Sequence, residues 1–373
     1  MKKILLIIII AILILTTGCW DMVEINQRIF PYSIGVDLNH DEGEDYILTI
    51  SYLNINAIGK NATQQERVFV VSIPATSIFE GTKKMSHIVQ YPFYFKHIRA
   101  LIIGEELAND SHRMREILDG LSRDYVINKK LLIATAEGKA EDVLKSVPKA
   151  TKQEVIEGTV YTLLNNTGSS VRYRSKPLTD FIQGMDQGAV IVPRIKVENN
   201  DLKVFGGCII KDYEVVGHIG EVENRGITFL VGEVKTGIID APYNDATLSY
   251  EITGQNMKRK LIKGEKNLKF KIDIETQGSL QEYIIRDKPE IDGEEKLKNM
   301  EKSIKEVMEK EINHTLEVLQ KEHKADVIGV REYISKFHPK IWKEVSQDWD
   351  EVFSEMEIEV NVTPRLRRVG LIK

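Results

Sequence analysis

Leu268-Lys269-Phe270-Lys271-Ile272-Asp273-Ile274 alternates apolar and charged side chains without a break. Successive side chains of a strand point to opposite faces, so this stretch predicts a strand with one face on a core and one in water. Downstream, Leu297, Met300, Ile304, Val307, Met308, Ile312, Leu316 and Leu319 recur at spacings of three and four among Lys and Glu. That pattern is the apolar stripe of a long amphipathic helix, with Asp292 at its opening. A second helix is predicted over 327–337, stopped before Pro339, and Met356, Ile358, Val360 and Val362 alternate into a closing strand. Trp342 and Trp349 stand seven apart, two helical turns, and so face one groove.

Upstream, period-two or β-branched runs predict strands over 46–52, 68–73, 98–103 and 131–136. Helical spacing predicts helices over 76–89, over 111–125 with Ser111 as N-cap, over 140–147 closed by Pro148, and over 153–164. A polar stretch over 165–176 reads as a loop. Three short runs, 204–211, 214–219 and 226–231, read as successive hairpin strands. Blocks of strands and blocks of helices without regular alternation make this an α+β chain of mixed sheets with packed helices. Its 373 residues exceed one ordinary core and imply two or three domains. The apolar-poor residues 198–201 place the main boundary, giving 19–197 and 198–373, the latter with room for two subdomains.

With 42% hydrophobic and 29% charged residues the composition is globular. Fifty-one basic against 56 acidic residues, net -5, argue against a surface built for nucleic acid. The only cysteines, Cys19 and Cys208, exclude a disulfide framework and a four-cysteine zinc site. At the start, Lys2 and Lys3 precede twelve apolar residues, 4–15, and then Thr16-Thr17-Gly18-Cys19. Twelve helical residues rise about 18 Å against a bilayer core of about 30 Å. The run is a secretory signal, removed as residues 1–18, and Cys19 is laid out as the lipidated terminus of a bacterial lipoprotein. It would carry a diacylglycerol group and an N-acyl chain of the palmitate class, enough for stable anchoring where one chain is marginal. Loss of Lys2 and Lys3 takes the net charge from -5 to -7, so the acyl chains rather than attraction to anionic lipid do the holding. Trp20, Asp21 and Glu24 follow closest to the bilayer and either touch a partner or serve as a plain tether.

Signatures of common catalysis are missing: no His-Glu-x-x-His, no Gly-x-Ser-x-Gly and no phosphate-binding Gly-Lys-Ser/Thr loop occurs. The histidines form no i, i+4 pair, so they read as scattered surface residues, and no metal or cofactor is expected. Asp37, Asp41, Glu42, Glu44 and Asp45 read as a solvated acidic turn lacking the order of a calcium loop. Cys208 opens an apolar strand and reads as a small core residue. Tyr91, Phe93, Tyr94 and Phe95 around Pro92 either meet a partner or pack beneath a loop.

Gly18-Cys19-Trp20-Asp21, then Glu24-Ile25 and Gly35-Val36-Asp37, resemble the opening of the Ger(x)C family, the C subunit of spore germinant receptors. His97 to Ala108, with its apolar strand and Gly104-Glu105, and Arg123-Asp124 are similar to the family pattern. So are Gly206-Gly207, Gly217, residues 326–333, Pro339 to Trp342 and Trp349, so the resemblance runs through the mature chain. It implies a lipoprotein on the outer face of the spore's inner membrane, working with two membrane-embedded subunits, the A-type and B-type, without catalysis of its own. It also implies three mixed domains. The competing expectation, from size and export alone, is a lipid-anchored solute-binding receptor of an importer, which would bind a ligand directly in a deep cleft.

Overall fold

The computed structural model describes residues 27–41, 43–54, 68–124, 127–146, 159–165, 175–199, 201–244, 246–263, 268–283 and 294–369, with Ile4. Cys19, Trp20, Asp21 and Glu24 lie outside the described residues, as do Asp292, Tyr125 and Pro148.

The first sheet has eight strands: β1 (Pro31–Leu38), β2 (Tyr46–Leu53), β3 (Val68–Ala75), β4 (Ala100–Ile103), β5 (Leu132–Ala136), β6 (Ala189–Glu198), β7 (Asp201–Lys211) and β8 (Glu214–Ile219). Their order is β3-β2-β1-β4-β5-β6-β7-β8. β1, β4, β5 and β6 run parallel, flanked on each side by antiparallel neighbours. Parallel neighbours need crossovers, and helices supply them. α1 (Ile78–Met85) precedes β4; α2 (Glu105–Ala108) and α3 (Ser111–Arg123) lead to β5; α4 (Ala140–Lys145), α5 (Thr159–Asn165) and α6 (Leu178–Asp186) lead to β6. α1, α3 and α6 cover one face, burying Met85, Leu118 and Phe181 against Ile34, Leu48 and Leu101. α4 and α5 cover the other, around Ile102, Ala134 and Leu144. With both faces covered, every residue of β4 and β5 is buried.

The second sheet, ordered β12-β11-β10-β9, contains β9 (Gly237–Tyr243), β10 (Ala246–Lys263), β11 (Leu268–Tyr283) and β12 (Glu357–Val369). β9, β10 and β11 are antiparallel, while β12 lies parallel to β11 after a helical crossover. The expected long helix is α8 (Glu294–Glu317), continued by a π-helical turn over Val318–Glu322. Its stripe, Ile304, Met308 and Ile312, packs on Phe270, Ile272 and Ile274. The fold is α+β with mixed sheets, as expected.

Several elements correct the sequence reading. Residues 226–231 belong to a helix, α7 (Glu221–Val231), and not to a third hairpin strand. Six of its residues, among them Ile227, Phe229 and Leu230, are buried, which erases the 3.6-residue period. Its ends are nevertheless marked: Glu223 accepts the Gly220 N–H at 2.8 Å, and Gly232 closes it with φ +80°. Asp110, not Ser111, caps α3 by accepting the Arg113 N–H at 2.9 Å. Pro339 does not merely end a helix. After α9 (Val330–Phe337) it opens α10 (Pro339–Val345) at a position where its missing N–H costs nothing, and α11 (Trp349–Glu355) follows. Trp342 and Trp349 do meet, ring centroids 5.4 Å apart, but from two helices rather than one.

The hairpin at 198–201 joins β6 to β7 within the first sheet. β7 then divides two cores: Cys208 and Ile210 face the α3 side, while Ile209 joins the core that holds α7, α8 and the second sheet. The far end of the first sheet and the second sheet therefore share one apolar core.

Candidate functional site

In a parallel sheet, ligands are usually met beyond the carboxyl ends of the strands. Here those ends gather residues already singled out in the sequence. Gly35, in β1, leaves room for Ala140 and Leu144 of α4. Asp37, at the end of β1, accepts the Ala140 N–H at 2.7 Å and the Glu141 N–H at 2.9 Å, capping α4 from 103 residues away. Burial pushes its carboxyl above the ordinary range, partly offset by those two N–H groups. Asp37 is thus no member of a solvated acidic turn. Of the other turn residues, Asp45 pairs with Arg113 at 2.7 Å and Glu44 with Lys84 at 2.6 Å. A side chain on Gly104 would run into the Asp37 carboxylate.

Next along the strand ends, Glu105 accepts the Gly138 N–H at 2.9 Å and pairs with Arg194 at 2.6 Å, with Glu137 at 3.8 Å from the same guanidinium. Beside them, Cys208 Sγ lies 3.3 Å from His218 Nδ1 and 3.2 Å from Thr135 Oγ1. Spacing gave no hint of this thiol–imidazole contact, because the β7–β8 register shifts by one at Ile209/Ile210 and so sets Cys208 opposite His218. Burial raises the thiol pKa, and burial with the Arg194 charge lowers that of the imidazole. Both shifts favour the neutral pair over a thiolate–imidazolium couple, the reverse of an activated nucleophile. The strand-end carboxylates and Arg194 are thus spent on helix caps and ion pairs. Among the described residues no group of three His, Cys, Asp or Glu is placed to hold a metal.

The aromatic segment is divided by strand alternation. Ile29 bridges to Phe93, with the Ile29 N–H donating to Pro92 O at 3.0 Å and the Tyr94 N–H to Ile29 O at 2.8 Å. Phe93 and Phe95 pack on the first core. Tyr94 meets Phe30 edge-on at 5.8 Å and His97 at 5.4 Å, with the Arg28 guanidinium 4.9 Å above its ring. The packing expectation holds for Phe93 and Phe95, while Tyr94 points the other way. Phe30 and Tyr94 stay half-exposed.

Residues 21–197 match the family model described as "Spore germination protein N-terminal domain". Residues 205–370 match "Spore germination B3/ GerAC like, C-terminal". The chain is similar to spore germination protein YndF of Bacillus subtilis (strain 168), 24% identical with 99% of this chain and 97% of the relative covered. It is likewise similar to spore germination protein KC of the same organism, 25% identical with 99% and 96% covered. The crystal structure of the GerBC protein shares the fold, with a TM-score of 0.61 at 18% identity, covering 90% of this chain and 98% of that one.

Proposed function

We propose that this chain, which belongs to the GerAC-like family of spore germination proteins, is the lipid-anchored, non-catalytic subunit of a spore germinant receptor. The observation that carries the reading is the match of both family models, in order, along nearly the whole chain. Cys19 is the lipidated residue, after removal of residues 1–18, and the body stands on the outer face of the spore's inner membrane. The anchor keeps it beside the A-type and B-type subunits, at an effective concentration in about the millimolar range. Trp20, Asp21 and Glu24 are the first residues to reach such partners. The strand-end cluster supports a role without catalysis, since its titratable groups stabilise the fold. The segments 19–197 and 198–373 are best taken as two family modules joined through a shared sheet and core, with α8 to α11 completing the second.

The test is dipicolinate release from spores carrying Cys19→Ala. The expected result is a reduced nutrient response and less protein in the membrane fraction, with release by calcium-dipicolinate intact. A variant that stays in the membrane and responds normally would overturn the anchoring role.

A further inference from the structure

We propose that the outward aromatic and basic face formed by Arg28, Phe30, Tyr94, Lys96 and His97 lies on the anionic surface of the bilayer that holds the anchor; this rests on the lipid-anchored reading above. Nine peptide steps separate Cys19 from Arg28, so the face begins no farther than about 32 Å from the lipidated residue. Phe30, Tyr94 and His97 form a three-ring cluster, with Phe30 to His97 at 5.2 Å. Arg28 lies over Tyr94 at 4.9 Å and Lys96 at 5.9 Å. Amphipathic rings flanked by Lys and Arg are the composition that settles at the headgroup layer.

Charge supports lipid as the occupant. The chain is acidic overall, yet residues 81–104 contain no Asp or Glu. Three cations of that stretch serve elsewhere: Lys83 lies over Phe79, Lys84 pairs with Glu44 and Glu80, and Arg99 lies over Tyr161. Lys96 remains of that stretch, and among the described residues neither it nor Arg28 pairs with a carboxylate. Asp21 and Glu24 are the only acids between Cys19 and Asp37. The acidic body as a whole is not drawn to anionic lipid; this end of it is. The acyl anchor supplies proximity, and the face sets the orientation of the body above the membrane.

The experiment uses the full-length protein extracted from membranes and reconstituted in vesicles of phosphatidylcholine, or with part of it replaced by phosphatidylglycerol. Hydrogen exchange is read at residues 27–32 and 91–98, with 330–345 as a distant reference. Slower exchange of the two segments on anionic vesicles alone is expected, abolished by high salt. Arg28→Gln/Lys96→Gln should weaken the docking constant about thirtyfold, the worth of two cations near an anionic surface. Equal exchange on both vesicle types overturns the proposal, as does protection that arises only when other membrane proteins are added. The mass of the N-terminal peptide reports acylation separately. If the acyl chains are absent, the anchoring reading fails, and co-sedimentation with anionic but not neutral vesicles still decides whether the face binds lipid.

Discussion

Strands β4 and β11 solve the same problem in opposite ways. In β4 all four residues, Ala100 to Ile103, are buried, because helices cover both faces of the parallel part of the first sheet. In β11 burial alternates strictly from Phe270 to Leu280, because α8 covers one face and water meets the other. The difference teaches where each half can tolerate change, and it carries over to carboxylates. Asp37, buried under α4, has its pKa raised, whereas Glu359 on the open face of the second sheet has its pKa held down to about 2.

The largest expected effects test the packing contrast directly. Phe270→Ala should destabilise by about 3–5 kcal/mol and Leu101→Ala or Ile102→Ala each by about 2–5 kcal/mol, since all three side chains are fully buried. Leu101 and Ile102 are adjacent and point to opposite faces, so both must be costly. On β11 the neighbour of Phe270, Lys271, should be replaceable by Ala with no measurable shift in the denaturation midpoint. Equal tolerance at Leu101 and Ile102 would break the two-faced description of the first sheet. Because Ile191, Ile209 and Ile219 share a core with Phe270, Phe270→Ala should shift one cooperative transition rather than create two. Two separated transitions would show that the halves melt independently.

A smaller effect is expected from Asp37. A carboxylate whose pKa is raised on folding contributes stability that is fully present below its unfolded value, near 3.8, and lost as pH rises through the folded value. Asp37→Asn keeps one acceptor for the two helix N–H groups and should cost about 1 kcal/mol as a weakened cap. Melting temperatures measured from pH 4 to pH 7 should show the gap between wild type and variant narrowing as pH rises. A gap that widens would contradict the upward shift.

The same contrast explains how much of the chain could be read from its sequence. β11, β12 and α8 each bury one face, and alternation or a three-four stripe announces them. Residues 226–230 of α7 are all buried, so no polar face marks the period there, and its Ile-Thr-Phe-Leu-Val run imitates a strand. β1 was hidden differently: its Gly35-Val36-Asp37 looks like the approach to an acidic turn, and nothing nearby reveals that α4, 103 residues on, needs a cap. The Cys208–His218 contact escaped because a one-residue irregularity decides which residue lies opposite the thiol. Half of the aromatic face was legible, in Tyr94 and its neighbours. Phe30 and Arg28 joined it only through pairing across 64 residues at the Ile29 to Phe93 bridge. Local periodicity reports the environment of one element, while sites assembled from several elements depend on register that the sequence does not display.

The smallest effect concerns the charges on the open face of β11 and β12. Lys269 Nζ lies 2.7 Å from Glu357 and 2.9 Å from Glu359 across the parallel pair, and Lys271 lies 3.6 Å from Glu359. The Lys269 hydrogen bond is the main reason Glu359 is held at about 2, with Asn361 second. A depressed carboxylate contributes stability above its unfolded value and loses it as pH falls through the folded one, so any pH dependence from Glu359 lies below about pH 4.5. Because these groups are exposed, salt bridges among them are screened and hardly stabilise the fold at neutral pH. Lys269→Gln should therefore leave the melting temperature at pH 7 unchanged while letting Glu359 titrate back toward 4.5, as read by NMR of its side-chain carboxyl carbon. If Glu359 stays near 2 in the variant, Asn361 and Lys271 hold it, and the open face is organised by hydrogen bonds within and between strands rather than by one lysine. Either result concerns a face that water reaches, and the buried carboxylate of Asp37 should not respond to it.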